Sequence, residues 1–185
     1  MVVQYVGQNP EGGIREQIWN ILCQCDDEFY PPLSARVSSS QKVLKTADGE
    51  TPRKRGGLPT EYFDEMIRQY FIIASENGSV AGFMTFRKDY CCEALERFGE
   101  SLYITTVCVA RNRRRQGVLA LLYGFMERRV TQICSCNKIS TRTWSRNDAQ
   151  LHTLEKRGYR VLSILPNDRG KGIDTVYYGI EIKTP

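Results

Sequence analysis

Residues 101–126 of this chain read SLYITTVCVARNRRRQGVLALLYGFM, and this stretch decides the fold. Its first part, Leu102 to Val109, is rich in β-branched and aromatic residues, which predicts a strand. After a basic turn, apolar residues recur at the spacing of one helix face. These residues are Leu121, Leu122, Phe125, Met126, Val130 and Ile133. The stretch therefore predicts a strand, a turn and a helix in succession.

The predicted start of this helix has the properties of an anion-binding site. A helix that begins near Gln116 leaves its first backbone N–H groups without partners and places the positive end of its dipole there. Gly117 has no side chain, so a ligand can approach the backbone closely. Arg114 and Arg115 add positive charge beside it. We therefore expect a ligand that carries phosphate groups.

A second pattern follows at a short distance. Residues 139–144 predict a strand, and residues 147–159, NDAQLHTLEKRGY, predict a helix that opens with Asn147. Together, residues 101–159 resemble the GNAT superfamily of N-acetyltransferases, whose pyrophosphate loop reads Gln/Arg-x-x-Gly-x-Gly/Ala. Arg114 and Gly117 match this loop, and Leu119 stands at its last position. The order and spacing of the two patterns are more specific than either pattern alone.

The resemblance implies one GNAT-type domain over residues 1–185, with a mixed α/β fold and a mostly antiparallel central sheet flanked by helices. Two parallel strands of the sheet are expected to splay apart, and the pantetheine arm of acetyl-CoA is expected to lie between them like an added strand. The residues expected to bind the cofactor are Val107, Cys108, Val109, Arg114, Arg115, Gln116, Gly117, Val118, Leu119, Ala120 and Asn147. Asn147 is alternatively a helix N-cap, which is the commoner role of such a residue.

The resemblance also implies direct attack of an amine on the thioester. The catalytic residues expected are Val109, whose N–H would donate to the oxyanion, and Tyr103, at the position of the family's carboxylate base. Tyr103 is expected either to face the acceptor pocket or to pack in the core. Many family members protonate the leaving thiolate with a tyrosine seven residues after the asparagine, and here Leu154 holds that position. Water, or another tyrosine such as Tyr123, would then supply the proton, unless there is no catalysis.

The expected function is transfer of an acetyl group from acetyl-CoA to a primary amine of a small molecule or peptide. A non-catalytic alternative is a coenzyme A sensor, or a nucleic-acid-binding module that uses the basic loop from Arg111 to Arg115. Few aromatic residues interleave with these arginines, so nucleic acid is not the expected partner. The resemblance leaves a homodimer open.

Composition limits the possible partners, metal sites and location of the protein. The net charge of +5 is modest, and a second basic cluster, Arg53-Lys54-Arg55, is typical of a solvated loop. The chain has 7 cysteines, an odd number, which favours reduced thiols. The cysteines lack Cys-x-x-Cys spacing, and the only histidine, His152, is remote from them in sequence, so no metal site is expected.

No apolar run approaches the ~20 residues of a membrane span, and the first residues do not read as a signal peptide, so a cytoplasmic protein is expected.

The alternation on either side of Asn77-Gly78 predicts a hairpin over residues 71–88, and residues 160–182 predict a second one. Residues 1–6 predict a first strand, and apolar residues from Ile14 to Phe29 predict a helix that ends before Pro31. Residues 33–60 are polar and irregular, which is typical of either a binding lid or a disordered segment. By the resemblance, this region helps to build the acceptor pocket.

Cys108 is expected to pack as a small hydrophobe, because strand alternation points it away from the face of Val107 and Val109.

Overall fold

The computed structural model describes residues 1–52 and 57–183 of the chain. Its strands are β1 (Val2–Gly7), β2 (Tyr70–Glu76), β3 (Ser79–Tyr90), β4 (Ser101–Val109), β5 (Lys138–Trp144), β6 (Arg160–Leu165) and β7 (Thr175–Glu181). Its helices are α1 (Gly12–Cys25), α2 (Thr60–Met66), α3 (Val118–Phe125), α4 (Thr131–Ile133) and α5 (Asp148–Lys156), with a π-helical turn, Met126–Val130, joining α3 to α4. The basic cluster at residues 53–55 lies outside the described residues.

The strands form one seven-stranded sheet in the order β1-β2-β3-β4-β5-β7-β6. Only β4 and β5 run parallel, and their pairing covers three residue pairs, from Leu102 opposite Ile139 to Ile104 opposite Thr141. Beyond that point the two strands separate. The predicted mixed, mostly antiparallel sheet with a splayed parallel pair is confirmed.

The predicted hairpin over β2 and β3 forms around Asn77 and Gly78. Both residues have positive φ angles, 50° and 78°, as a tight two-residue turn between twisted strands requires. The helix predicted before Pro31 ends earlier, at Cys25, and a 3-10 turn, Asp26–Glu28, follows it.

The sheet separates two apolar clusters. On one face, α3 buries Val118 and Leu122 against Ile104 of β4, and on the other face α1 and α2 pack against Cys108. A β-bulge in β4 breaks the strict alternation, because Thr106 and Ile104 pair with successive residues of β3 and the residue between them is skipped.

Gly82 of β3 lies under the start of α3. A Cβ at this position would lie 2.8 Å from the carbonyl oxygen of Cys108, closer than real Cβ atoms approach other atoms, and 3.0 Å from Cγ1 of Val118, which is also a tight contact. The absence of a side chain therefore allows the first turn of α3 to pack directly on the sheet.

The described part of the segment at 33–60 is folded onto the body of the protein. Leu33 and Leu44 are fully buried, and the carbonyl oxygens of Ser39 and Gln41 accept hydrogen bonds from Arg142 of β5 at 3.0 and 2.8 Å. Apart from a short 3-10 turn, Leu33–Ala35, and the start of α2, this part has no regular secondary structure. Its anchoring comes from side chains and not from a backbone ladder.

Candidate active site

A cleft of about 950 Å³ opens where β4 and β5 separate. Its walls include residues 104–109 of β4, 113–115 and 117–120 of the basic turn and α3, and 141–144 of β5. They also include several residues of α5, together with Cys25, Glu28 and Phe29 at and after the end of α1 and with Glu127, Asn147 and Arg157. Ten of the eleven residues predicted to bind the cofactor line this cleft. The exception is Gln116, which is exposed and donates a hydrogen bond to the carbonyl of Asn112 at 3.1 Å.

The backbone of β4 offers hydrogen-bonding groups to the cleft. The N–H of Ala110 donates to the carbonyl of Ala81 at 2.9 Å, and hydrogen-bonded pairs alternate with non-bonded pairs in an antiparallel ladder. The N–H and C=O groups of Val107 and Val109 therefore point away from β3, into the gap. The Val109 carbonyl accepts a hydrogen bond from Nε of Arg114 at 3.3 Å, which leaves the Val109 N–H directed at the cleft.

The start of α3 forms the second wall. Gly117 is the N-cap, with a φ of 78°, and no side chain caps the helix. The first bond of the helix runs from the N–H of Leu121 to the carbonyl of Gly117 at 3.0 Å. The three preceding amides, of Val118, Leu119 and Ala120, therefore have no acceptor within the helix, and these residues line the cleft. Donors of this kind suit phosphate oxygens.

The arginines of the turn are not equivalent. Arg113 pairs with Glu76 at 2.9 Å, and Arg114 pairs with Glu28 at 2.9 Å. The hydrogen bond from Arg114 to Glu28 raises the pKa of this guanidinium above its usual value. Arg115 is exposed, has a φ of 59°, and makes no ion pair with any described residue. It is therefore the arginine of this turn that is available to a ligand without breaking an existing pair.

This difference predicts unequal effects of two alanine substitutions. Arg115→Ala is expected to weaken coenzyme A binding by about 10- to 100-fold, the size of one charge-assisted hydrogen bond. Arg111→Ala is the matched control, because Arg111 is 62% exposed in the same turn and is not on the cleft wall. Both variants should unfold within about 0.5 kcal/mol of the wild type. Isothermal titration with coenzyme A measures the difference, and equal affinities in the two variants would contradict it.

Asn147 has the alternative role considered for it. Its Oδ1 accepts the N–H of Gln150 at 3.3 Å, which caps α5, and its Nδ2 donates to Oγ1 of Thr143 at 3.1 Å. Asn147 also lines the cleft, so its contact with the cofactor stays a prediction.

Tyr103 lies in the core and not on the cleft wall. It is 1% exposed and packs with Leu95 and Tyr177, and its ring stacks on that of Tyr90 with centroids 4.1 Å apart. Burial raises the pKa of Tyr103 far above its ordinary value, so the phenol stays neutral near pH 7. Of the two placements considered for Tyr103, the structure shows packing in the core, and its predicted role as a base gains no support.

Leu154 and Tyr123 are also turned away from the cleft. Both are fully buried in the cluster beneath α3, and the Tyr123 hydroxyl accepts a hydrogen bond from Nε2 of Gln150 at 2.5 Å. The α5 residues on the wall include Gln150 and Thr153. The phase of α5 thus directs Thr153, and not Leu154, toward the ligand side.

The two cysteines near the cleft differ in their surroundings. Burial raises the pKa of Cys108 well above its usual value, as expected for a cysteine that packs as a small hydrophobe. Cys25 lies beside Arg114, with Nη2 of the arginine 3.6 Å from its sulfur. A hydrogen bond with Cys108 lowers the pKa of Cys25.

Several cleft residues escaped the sequence reasoning. The part of the cleft beyond the last residue of β5 that pairs with β4, called its far end below, is lined by Arg142, Trp144 and Phe29. The rings of Phe29 and Trp144 lie 6.2 Å apart there. One signal in the sequence was an arginine near the end of the predicted strand at 139–144, just before the helix that opens with Asn147. Among the described residues, no group of three or more His, Cys, Asp or Glu side chains could hold a metal ion. None of the helices in this part of the chain is long and apolar enough to cross a membrane.

Comparison with known proteins agrees with this geometry. A sequence model of the acetyltransferase (GNAT) family matches residues 41–159. Aminoglycoside 6′-acetyltransferase type Ii is similar in structure, with a TM-score of 0.69 and 16% identity over 100% of this chain and 99% of that one. An aminoglycoside 6′-N-acetyltransferase complexed with coenzyme A has a TM-score of 0.66 and 16% identity over the same shares. The Salmonella typhimurium protein yncA with acetyl-CoA has a TM-score of 0.61 and 14% identity over 100% of this chain and 95% of that one.

The family match spans well over half of the chain, so this protein belongs to the GNAT family of acetyltransferases. Comparison with curated protein sequences yields no match. The identities to the solved structures are low, and those structures therefore support the fold alone.

Proposed function

We propose that this protein transfers an acetyl group from acetyl-CoA to a primary amine of a small molecule or peptide. One observation carries the proposal: the open backbone edge of β4 at Val107 and Val109 lies beside the uncapped start of α3, in one cleft. The first offers hydrogen bonds to an extended amide chain, and the second offers amides to phosphates. Acetyl-CoA carries both kinds of group.

The residues present fit this cofactor. The amides of Val118, Leu119 and Ala120, together with Arg115, would hold the pyrophosphate. The space beside Gly117 is open, because a Cβ placed there would meet no atom within 4 Å. The pyrophosphate can therefore approach these amides without a rearrangement of the protein. When bound, acetyl-CoA supplies a thioester carbonyl as the electrophile, and the Val109 N–H would stabilise the negative charge that develops on its oxygen.

The described cleft walls carry neither a free carboxylate nor a tyrosine, and the one histidine on them, His152, is exposed on α5. The carboxylates on the described cleft walls are Glu28 and Glu127, and each is in an ion pair, with Arg114 and Arg157 respectively. No tyrosine lines the described walls. We infer that the amine loses its proton to solvent and that the leaving thiolate takes a proton from water, with the protein contributing orientation and the oxyanion contact.

Thermal unfolding with and without acetyl-CoA tests the proposal. A ligand at one hundred times its dissociation constant adds about 2.7 kcal/mol to the free energy of unfolding. For a chain of this size, the expected rise in Tm is roughly 5–10 °C. Acetyl-CoA that leaves Tm unchanged at millimolar concentration would refute the proposal.

A coenzyme A sensor without catalysis is the second candidate, and the absence of a tyrosine from the described cleft walls favours it. Thiol release distinguishes the two candidates. An enzyme releases free coenzyme A in the presence of an accepted amine, whereas a sensor shows the same melting shift without thiol release.

A further inference from the structure

Three arginines cluster at the far end of the cleft, formed by Phe29 and Trp144, two of them buried behind the third. Arg36 is 6% exposed, Arg169 is 2% exposed, and Arg142 is half-buried on the cleft wall. They come from three separate places in the sequence: the segment after α1, the loop between β6 and β7, and β5. Nη2 of Arg36 and Nη2 of Arg142 both donate to the carbonyl oxygen of Ser39, at 3.3 and 3.0 Å, so two positive charges converge on one neutral acceptor.

The direct partners of these arginines are neutral. Besides the Ser39 carbonyl, Arg142 donates to the carbonyl of Gln41 at 2.8 Å and to the Tyr177 hydroxyl at 3.4 Å. A guanidinium has five N–H donors. Some donors of Arg142 therefore have no partner among the described residues.

Arg36 and Arg169, the two more deeply buried arginines, also have neutral groups as their direct partners. Arg169 donates from Nε to Oγ1 of Thr175 at 2.9 Å and from Nη1 to the carbonyl of Tyr30, and it lies over the Trp144 ring. Arg36 lies over the Tyr62 ring, and its buried Nε has no hydrogen-bond partner.

Two carboxylates lie near the cluster, but neither pairs with these guanidinium groups. Glu65 binds Arg87 and also accepts hydrogen bonds from Ser39, while Asp168 accepts from Thr175. The sequence at residues 53–56, outside the described residues, is Arg-Lys-Arg-Gly and contains no acidic side chain. The cluster therefore carries an excess of positive charge.

Two of the three arginines, Arg36 and Arg169, have a lowered pKa. Burial, and then repulsion by Arg36 and Arg142, lowers the pKa of Arg169 to about 9. Burial likewise lowers the pKa of Arg36, and Arg142 adds to the effect. A buried cation is costly unless an anion or a set of hydrogen bonds compensates it. An anion at the Arg142 side of the cleft would relieve this cost for Arg36 and Arg169. Burial opposes protonation of Arg142 as well, but interaction with Tyr103 and Tyr177 raises the pKa of Arg142 above its usual value, so Arg142 stays charged and would attract the anion.

The place of Arg142 relates the cluster to the reaction. Arg142 follows directly after Thr141, the last residue of β5 that pairs with β4. It therefore stands at the point where the strands separate, next to the aromatic end formed by Phe29 and Trp144 and on the opposite strand from Val109. The uncapped start of α3, where we place the pyrophosphate, is another part of the wall, so an anion at Arg142 belongs to the acceptor.

Building on the proposed function, we propose that the acceptor amine carries an anionic group, a carboxylate or a phosphate, which binds Arg142 in front of Arg36 and Arg169. Aromatic walls at this end suit an acceptor with an apolar part between the amine and the anion. Polycationic amines are disfavoured, because like charges brought together at a desolvated site repel each other. This acceptor class differs from that of the aminoglycoside acetyltransferases that share the fold.

Pairs of acceptors that differ in one charge test the proposal. The wild-type enzyme with acetyl-CoA is assayed for thiol release with α-amino acids and with the corresponding amino acid amides, and with phosphoethanolamine and ethanolamine. We expect kcat/KM to be at least about 10-fold higher for the anionic member of a pair, the lower bound for a charge-assisted hydrogen bond. The amino acid pairs report a carboxylate site, and the phosphoethanolamine pair reports a phosphate site.

Substitution of Arg142 identifies the responsible charge. Arg142→Gln is expected to raise KM for the anionic acceptor about 10- to 100-fold and to remove the preference for it, with acetyl-CoA affinity unchanged. Arg142→Lys keeps a charge and should retain part of the preference. A purely structural role would lower kcat/KM for both members of a pair alike. Arg97→Gln, at an exposed site that is not part of the cleft wall, is the control for net charge.

The outcomes separate this proposal from the proposed function. Binding of acetyl-CoA with equal or better use of the uncharged acceptors would overturn the anionic acceptor alone. Absence of any acetyl-CoA melting shift would overturn both. If acetyl-CoA binds and none of the amines is acetylated, melting in the presence of coenzyme A decides: N-acetyl amino acids must stabilise the protein more than their amides do, and equal stabilisation refutes the proposal.

Discussion

Replacing Gly117 with valine is expected to weaken acetyl-CoA binding about 100-fold or more. Gly117 has a φ of 78° and stands at the N-cap of α3, where we propose that the backbone meets the ligand. A β-branched side chain there is strained and blocks the approach to the amides that follow. Loss of two charge-assisted hydrogen bonds, at about 1.5–3 kcal/mol each, accounts for an effect of this size. Isothermal titration with acetyl-CoA measures the affinity.

The chain contains a matched control for this substitution. Gly78, in the turn between β2 and β3, has the same φ of 78°, and a Cβ there also meets no atom within 4 Å. Gly78→Val should therefore lose a similar amount of stability, about 1–3 kcal/mol, without any change in affinity for acetyl-CoA. The two alanine variants repeat the comparison if a valine variant does not fold. Equal affinities at the two positions would show that the start of α3 does not contact the ligand.

Replacing Leu154 with tyrosine is expected to destabilise the protein by roughly 2–5 kcal/mol without raising kcat. Leu154 is fully buried in the cluster beneath α3, so a larger side chain overfills the core, and its hydroxyl would lack a partner. The family resemblance predicts instead that this substitution restores a general acid and raises kcat if protonation of the thiolate limits the rate. Chemical denaturation measures the stability, and thiol release measures the rate.

Leu154→Met is the control for side-chain shape, since a volume-conserving change costs less than about 1.5 kcal/mol. A folded tyrosine variant with a kcat well above the wild-type value would mean that position 154 reaches the thioester, and that the phase of α5 differs from the one described.

The sequence was sufficient for the elements whose signal is local. The β-rich run before Val109, the apolar period after Gly117 and the Asn77-Gly78 turn each predicted an element that the structure contains. The family resemblance then supplied the splayed strand pair, which local patterns do not encode. The backbone contacts proposed for the cofactor depend on those elements alone.

The roles of single side chains were less predictable, because small changes of phase decide them. The bulge in β4 interrupts the alternation between Tyr103 and Val107, so counting along the strand does not tell which face a residue occupies. Position 154 matches a family position in sequence, yet its side chain enters the core. Arg142 gains its surroundings from residues about a hundred positions away, and no local pattern contains that information.

The close packing at Gly82 affects the distance between the two parts of the cleft that would hold the cofactor. The start of α3 and the edge of β4 would hold different parts of the same cofactor, and their spacing is set by a glycine that is not on the cleft wall. A side chain at this position would press on the Cys108 carbonyl of β4 and on Val118 of α3. We expect the edge of β4, the start of α3 or both to shift, which would change the distance between the thioester end and the phosphate end. The length of ligand that fits the cleft thus depends on how β3 packs against β4 and α3. It can change even when every residue that faces the ligand stays the same.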